Sequence, residues 1–398
     1  MPTSPHPSSS ASVLHASPAA ASGKPYVEEP VAYDAILLAG FGGPEGQEDV
    51  IPFLRNVTRG RGIPDDRLEL VAGHYRHFGG VSPINEHNRA LRAALAAELS
   101  RRGIDLPVYW GNRNWAPYLT EAVADAASAG HRRLLGIATS AYSSYSGCRQ
   151  YREDFARALE ETGLAGTVTI DKVRQFFDHP GFADSFVVPL GEALAALMED
   201  DIPADRIRVL FTTHSIPVDD ARRSGPRDRD FGDDGAYAAQ HEAVAGYVME
   251  RIRQNLPDAD PVPWRLVYQS RSGPPSQPWL EPDIGDVIAA APGDGVEAVV
   301  MVPIGFVSDH MEVLWDLDTE AMTAARDAGV RAVRIPTPGT EPGYVAGLAD
   351  LVQERLSGAP VASRPHVTAL GPWFDVCRPG CCENVRAGFR PAVAGVAP

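Results

Sequence analysis

From residue 35 onward, short apolar runs alternate with longer amphipathic stretches. The runs at 35–40, 108–111, 134–139, 168–173, 209–213, 266–269, 298–304 and 333–335 are continuous rather than alternating. Strands of a parallel sheet covered on both faces read this way. The stretches at 85–101, 119–129, 149–162, 182–198, 237–256, 319–328 and 344–356 carry apolar residues at helical spacing. Strand–helix alternation of this kind predicts βαβ units and a doubly wound α/β architecture. Two smaller sheets suit the chain length better than one of eight strands, with the break after Val173, within 175–180. The charged, Gly-rich segment 217–235 reads as a long surface loop.

Charge narrows the class. The 398 residues hold 52 Asp and Glu against 36 Lys and Arg, a formal net charge of −16. That excludes a nucleic-acid binder working through a basic face and a polybasic membrane anchor. No apolar run approaches the roughly 20 residues of a membrane span. Residues 1–30, rich in Ser, Ala and Pro, lack an apolar signal-peptide core and read as a disordered tail. A cytoplasmic enzyme is the expectation.

Ligands of open α/β sheets bind beyond the carboxyl ends of the strands, so polar residues there are the candidates. The first strand runs into Gly40-Phe41-Gly42-Gly43-Pro44, a turn that lacks the third glycine of a dinucleotide fingerprint. Ser82, in GGVSPIN, either meets an anion at a helix N-terminus or, like Asn85, caps that helix. The segment TSAYSSYSGCRQY at 139–151 concentrates hydroxyls and aromatic rings, suited to a large flat ligand with carboxylates, or is a plain polar loop. His214 closes the fifth strand, a metal ligand or base if it is not a satisfied core histidine. Glu312 follows the seventh strand. It either completes a capping box with Asp309 or faces His214, and a histidine opposite a carboxylate can bind a divalent metal and accept protons. Cys148, Cys377, Cys381 and Cys382 are four thiols, more consistent with metal ligands or spare thiols than with a disulfide framework.

Five motifs together resemble the ferrochelatase family, which inserts ferrous iron into a porphyrin. They are LLAGFGGPE at 37–45, GGVSPIN at 79–85, FTTHSIP at 211–217, YQSRSGPPSQPWLEPD at 268–283 and VPIGFVSDHMEVLWDLD at 302–318. The resemblance implies an α/β fold of two Rossmann-like lobes with the porphyrin cleft between them. The lobes would span 31–176 and 177–340, with a C-terminal helix and cysteine-bearing tail at 341–398 packing back on the first lobe. It implies that His214 and Glu312 form the Fe2+ site and that Ser82, Tyr151 and Tyr75 touch the porphyrin. Phe41 stands where some family members carry a tyrosine that ligates iron, and a phenyl ring cannot do so.

The spacing of Cys148 from Cys377, Cys381 and Cys382 is similar to that of the cluster-bearing ferrochelatases, actinobacterial ones included. This implies a [2Fe–2S] cluster, with a four-cysteine zinc site or unligated thiols as the alternatives left by spacing alone. It also implies coproporphyrin III as substrate and coprohaem as product. Protoporphyrin IX as substrate, a non-catalytic porphyrin carrier with an iron-sensing cluster, and a cobalt or nickel chelatase are the competing readings. A transient partner for iron or coprohaem transfer is expected; a nucleic-acid partner or membrane anchor is not. Arg55, Arg59, Arg61, Arg113 and Arg271 are candidates for offsetting the propionate charge.

Overall fold

A computed structural model describes residues 24–60, 62–273, 276–384 and 390–395. Arg61 lies outside them. Eight strands form two four-stranded parallel sheets. The first contains β1 (Ala35–Gly40), β2 (Val108–Asn112), β3 (Arg133–Ala138) and β4 (Thr169–Lys172), in the order β2-β1-β3-β4. The second contains β5 (Ile207–His214), β6 (Trp264–Gln269), β7 (Ala298–Val302) and β8 (Arg331–Arg334), in the order β6-β5-β7-β8. Two of the central strands are buried throughout, AILLAG in β1 and AVVMV in β7, which is why they read as unbroken apolar runs.

The main helices are α1 (Val50–Val57), α2 (Asp65–His77), α3 (Ile84–Arg101), α4 (Leu119–Ser128), α5 (Gln150–Glu161), α6 (Val187–Glu199), α7 (Gly235–Asn255), α8 (Ile284–Ala290), α9 (Met322–Ala328) and α10 (Pro342–Ser357). Sequence periodicity misses α1, α2 and α8. Pro52 masks α1, although proline is tolerated in a first helical turn. α2 is polar and buries only Leu68, Ala72 and Tyr75. Wide π-helical turns at Tyr145–Arg149 and Leu314–Ala321 replace regular helix ahead of α5 and α9. Such turns shift side chains off the usual helical faces and gather at functional sites.

Two expectations need correction. Segment 217–235 is not simply a surface loop: it starts with a helical turn at Val218–Arg222, and Ser224 is buried. The Arg223 carbonyl accepts a hydrogen bond from the Cys382 amide at 3.1 Å. Pro180–Glu199 is also, among the described residues, long and apolar enough to meet the composition of a membrane span, with a mean hydropathy of 1.4. A turn at Asp184–Phe186 interrupts it, and Leu190, Leu194 and Leu197 are fully buried in the core.

The chain's end returns to its beginning. Leu348, Leu351 and Val352 of α10 share a core with Leu91, Leu95 and Leu99 of α3. Arg355 of α10 donates to the Tyr33 hydroxyl at 2.7 Å and to Asp171 at 3.2 Å, while Glu354 accepts from Arg174 at 2.9 and 3.1 Å. The residues after α10 reach both halves. Arg152 of α5 donates to the Asp375 carbonyl at 3.1 Å, and Arg378 pairs with Asp228 at 2.6 Å.

Candidate active site

β5 delivers His214 to the carboxyl edge of the second sheet. Its Nδ1–H donates to the Ser215 carbonyl, because a carbonyl can only accept, so in the neutral ring Nε2 is the bare nitrogen. Nε2 lies 3.5 Å from Glu312 Oε2. The side chains are 31% and 52% exposed, which leaves the pair open to a ligand. Glu312 takes no part in a capping box. His310, not Asp309, precedes the helical turn at Met311–Val313 and offers no side-chain cap. Asp309 accepts instead from both Arg334 terminal nitrogens at 3.2 Å and from Thr337 at 3.0 Å.

The pair is braced from below. Gly305, after β7, packs so tightly on β5 that a Cβ there would lie 2.1 Å from Thr213 Oγ1. Thr212 donates to Gln269 Oε1 at 2.9 Å, which aims Gln269 Nε2 at the Glu312 carbonyl (3.4 Å) and at Asp316 (3.3 Å). Ser270, held at φ 61°, donates to the same Asp316 carboxylate. Burial raises the Asp316 carboxyl to about 7, with the Ser270 bond opposing and the Glu312 charge adding to the rise. Burial also lowers the His310 imidazole, which favours its neutral form, against the pull of Glu312. Asp316 was not singled out from the sequence. Its signal was the four-residue spacing from Glu312 on a helical segment.

The first lobe supplies an aromatic wall. Phe41, Tyr75 and Trp115 each pack against Phe53, with ring centres 6.3, 5.8 and 6.2 Å apart. Phe41 remains 36% exposed. Met311 of the second lobe is buried in this cluster. Tyr75 is buried, and that burial together with the Glu312 charge holds its phenol protonated. Ser82 is buried against the turn after β1, where its amide donates to the Pro44 carbonyl at 2.9 Å. Neither Ser82 nor Asn85 caps α3. Asn85 instead donates to the Gly43 carbonyl at 3.2 Å and accepts from Asn112 at 3.1 Å.

Tyr151 is also buried. The Arg113 guanidinium lies 4.0 Å from its ring centre, and Arg113 pairs with the buried Asp154. That charge is therefore spent within the first lobe. Arg55 pairs with Asp65 at 3.4 Å, Arg59 donates to Asn56, and Arg271 is exposed.

All four cysteines are buried and unbridged. Cys381 and Cys382 sulfurs lie 3.8 Å apart, and Cys377 lies 3.9 Å from the Cys381 carbonyl. Buried cations surround them. Burial lowers the Lys172 amine to about 8 while Cys148 opposes the shift, and Arg152 gains from Cys148 and Cys377 against its own burial. Hydrogen bonding with Cys381 lowers the Cys377 thiol, and Arg152 and Arg149 assist. Among the described residues no three His, Cys, Asp or Glu side chains converge on a single metal position. His214 and Glu312 bring two donors together, fewer than a divalent cation's coordination sphere holds.

A histidine and a glutamate 3.5 Å apart at the carboxyl edge of a parallel sheet, beside an aromatic wall, are what the resemblance to the ferrochelatases leads one to expect. The ferrochelatase family model matches residues 33–356, and the chain belongs to that family. The chain is 65% identical over 394 residues to a coproporphyrin III ferrochelatase of Leifsonia xyli subsp. xyli, covering 97% of this chain and all of the relative. Coproporphyrin III ferrochelatases of Tropheryma whipplei (strain Twist) and Streptomyces griseus are 57% and 51% identical. These alignments cover 92% and 93% of this chain and 93% and 98% of the relatives.

Proposed function

We propose that the chain inserts Fe2+ into coproporphyrin III at the His214–Glu312 pair, releasing two protons and Fe-coproporphyrin III. The 3.5 Å approach of Nε2 to Oε2 carries this reading. Insertion requires the metal to shed water and two pyrrole N–H protons to leave. A two-donor site holds the substrate ion without sequestering it. The bare Nε2 takes a proton or a metal bond, Glu312 supplies a carboxylate oxygen, and Asp316, titrating at about 7, takes protons onward. Phe41 and its neighbours offer a surface for the flat macrocycle. Ser82, Tyr75 and Tyr151 belong to the same reading as porphyrin contacts. Coproporphyrin as the porphyrin is supported by the names of the relatives.

The group these buried thiols would hold is a [2Fe–2S] cluster, a reading supported by their burial and by the spacing of one pair. Two thiolates about 2.3 Å from one tetrahedral ion stand roughly 3.8 Å apart, and Cys381 and Cys382 have that separation. The buried cations would balance an anionic four-thiolate group. The cluster would supply a covalent clamp across the tail; insertion itself needs no redox change. Unbridged neighbouring thiols fit a reducing cytoplasm.

The test is anaerobic Fe2+ insertion into coproporphyrin III and protoporphyrin IX side by side, after recording the visible spectrum. Faster turnover of coproporphyrin with thiolate-to-iron bands is expected. Preference for protoporphyrin overturns the substrate assignment, porphyrin binding without insertion overturns catalysis, and activity without the bands removes the cluster.

A further inference from the structure

The four-thiol segments and His214 meet on one element, the first turns of α7. Tyr237 stands there. Its hydroxyl donates to the His214 carbonyl at 2.8 Å and accepts from Thr213 at 2.7 Å. It thereby grips the two residues that end β5, one of which is the candidate iron-site histidine.

Two cysteine-bearing segments hold that turn. On the tail side, the Cys382 amide donates to the Arg223 carbonyl at 3.1 Å, and Cys382 Sγ accepts from the Gly225 amide at 3.3 Å. Between these residues Ser224 is buried, and its Oγ accepts from the Tyr237 amide at 2.7 Å. Gly235 permits the close fit: its φ is +64°, and a Cβ there would lie 1.9 Å from the Ala221 carbonyl oxygen. On the Cys148 side, the Ser143 amide donates to Gln240 at 2.8 Å and Gln240 donates back to Ser143 Oγ at 3.0 Å. Tyr142 stacks on His241, with ring centres 3.5 Å apart, and His241 Nδ1 donates to the Tyr237 carbonyl at 2.7 Å. Ser144, next in the chain, accepts from the Cys148 amide at 3.0 Å.

We infer that Tyr237 is a positioning residue for His214, and that the segments bearing Cys148 and Cys382 hold it in register from two sides. The inference rests on reading His214 as an iron-site residue. A group that binds the four thiols would tighten both segments at once, so its occupancy would reach His214 through hydrogen bonds and packing rather than through electron transfer.

Three variants test this. Tyr237→Phe keeps the ring and removes only the hydroxyl. Since small misplacement of a reacting group costs rate, kcat for coproporphyrin insertion is expected to fall about tenfold, with porphyrin KM held within about twofold. Ser224→Ala and Cys382→Ser are expected to speed tryptic cleavage at Arg222, Arg223, Arg227 and Arg229, a readout that needs no activity. Wild-type kcat in Tyr237→Phe, alongside an inactive His214→Ala, overturns the positioning role and leaves the iron-site reading standing. Full activity in His214→Ala overturns that reading and the inference with it. Unchanged cleavage in both Ser224→Ala and Cys382→Ser overturns the link to the thiol segments.

Discussion

The imidazole of His74 lies flat on the indole of Trp315, 4.0 Å between ring centres and 7° from parallel. One residue belongs to α2 in the first lobe, the other to the π-helical turn that follows Glu312 in the second. His77 closes on the same indole edge-on at 5.7 Å, and Trp315 Nε1 donates to Glu320 at 2.8 Å. The α1–α2 hairpin is therefore fastened across the lobes beside the candidate iron site. Met311 adds an apolar anchor from the second lobe; it is 2% exposed and packed in a cluster with Phe53 and Tyr75.

Met311→Ala should cost about 2–4 kcal/mol of stability, the usual loss for emptying a buried long side chain. Equilibrium urea unfolding checks it. A cost below about 0.5 kcal/mol would mean the hairpin does not depend on this contact.

His214→Ala and Glu312→Gln should each lower iron insertion at least about a hundredfold, the range of a lost acid–base or metal-holding group. Porphyrin binding, followed by quenching of intrinsic fluorescence, should stay close to wild type. Rapid insertion by either variant would remove that residue from the chemistry.

Asp316 makes stability and rate depend on pH. Burial pushes its folded carboxyl up to about 7, above the 3.8 of an ordinary aspartate, so the folded state binds the proton more tightly than the unfolded chain. The contribution is fully present below about pH 4 and lost as pH rises through about 7. Asp316→Asn should therefore gain stability relative to wild type between pH 5 and pH 8, measured by urea midpoints at both. Asp316 must be ionised to accept protons, so kcat should rise with pH through about 7, and that acid limb should flatten in the same variant. A midpoint difference that does not change with pH counts against this assignment.

Cys148→Ser should abolish thiolate-to-iron absorption and labile sulfide in protein purified anaerobically. Lys172 and Arg152 would then sit buried with less compensating charge, so the thermal midpoint should fall as well. Retained bands in this variant would exclude Cys148 as a ligand.

Most strands were legible because strands such as β1 and β7 are buried apolar runs between turns, and the structure shifts their ends by only a few residues; β4 (TIDK) and β8 (RAVR) are the exceptions in composition. Helices α1 and α2 were not legible. Their buried residues are few and cover Met311, a residue some 240 positions away that no local window contains. The position of His214 at a strand end was readable, whereas its bond to Tyr237 was hidden because segment 217–235 looks solvated in one dimension. The four cysteines could be counted. Their counter-charges could not, since Arg149, Arg152 and Lys172 resemble ordinary surface cations until α5 and β4 bury them. Asp316 escaped notice, although it lies within the 302–318 motif, because its raised titration comes from burial and from the Glu312 charge, neither of which a sequence displays.

Helix α10 has a consequence for the order of synthesis. Domains emerging from the ribosome generally fold in turn, the N-terminal one first. Here the first sheet's helix α3 lacks its apolar cover, and Asp171 and Arg174 lack Arg355 and Glu354, until α10 has been made. The half of the protein that is translated first is thus the half that must wait for nearly the whole chain before it is complete.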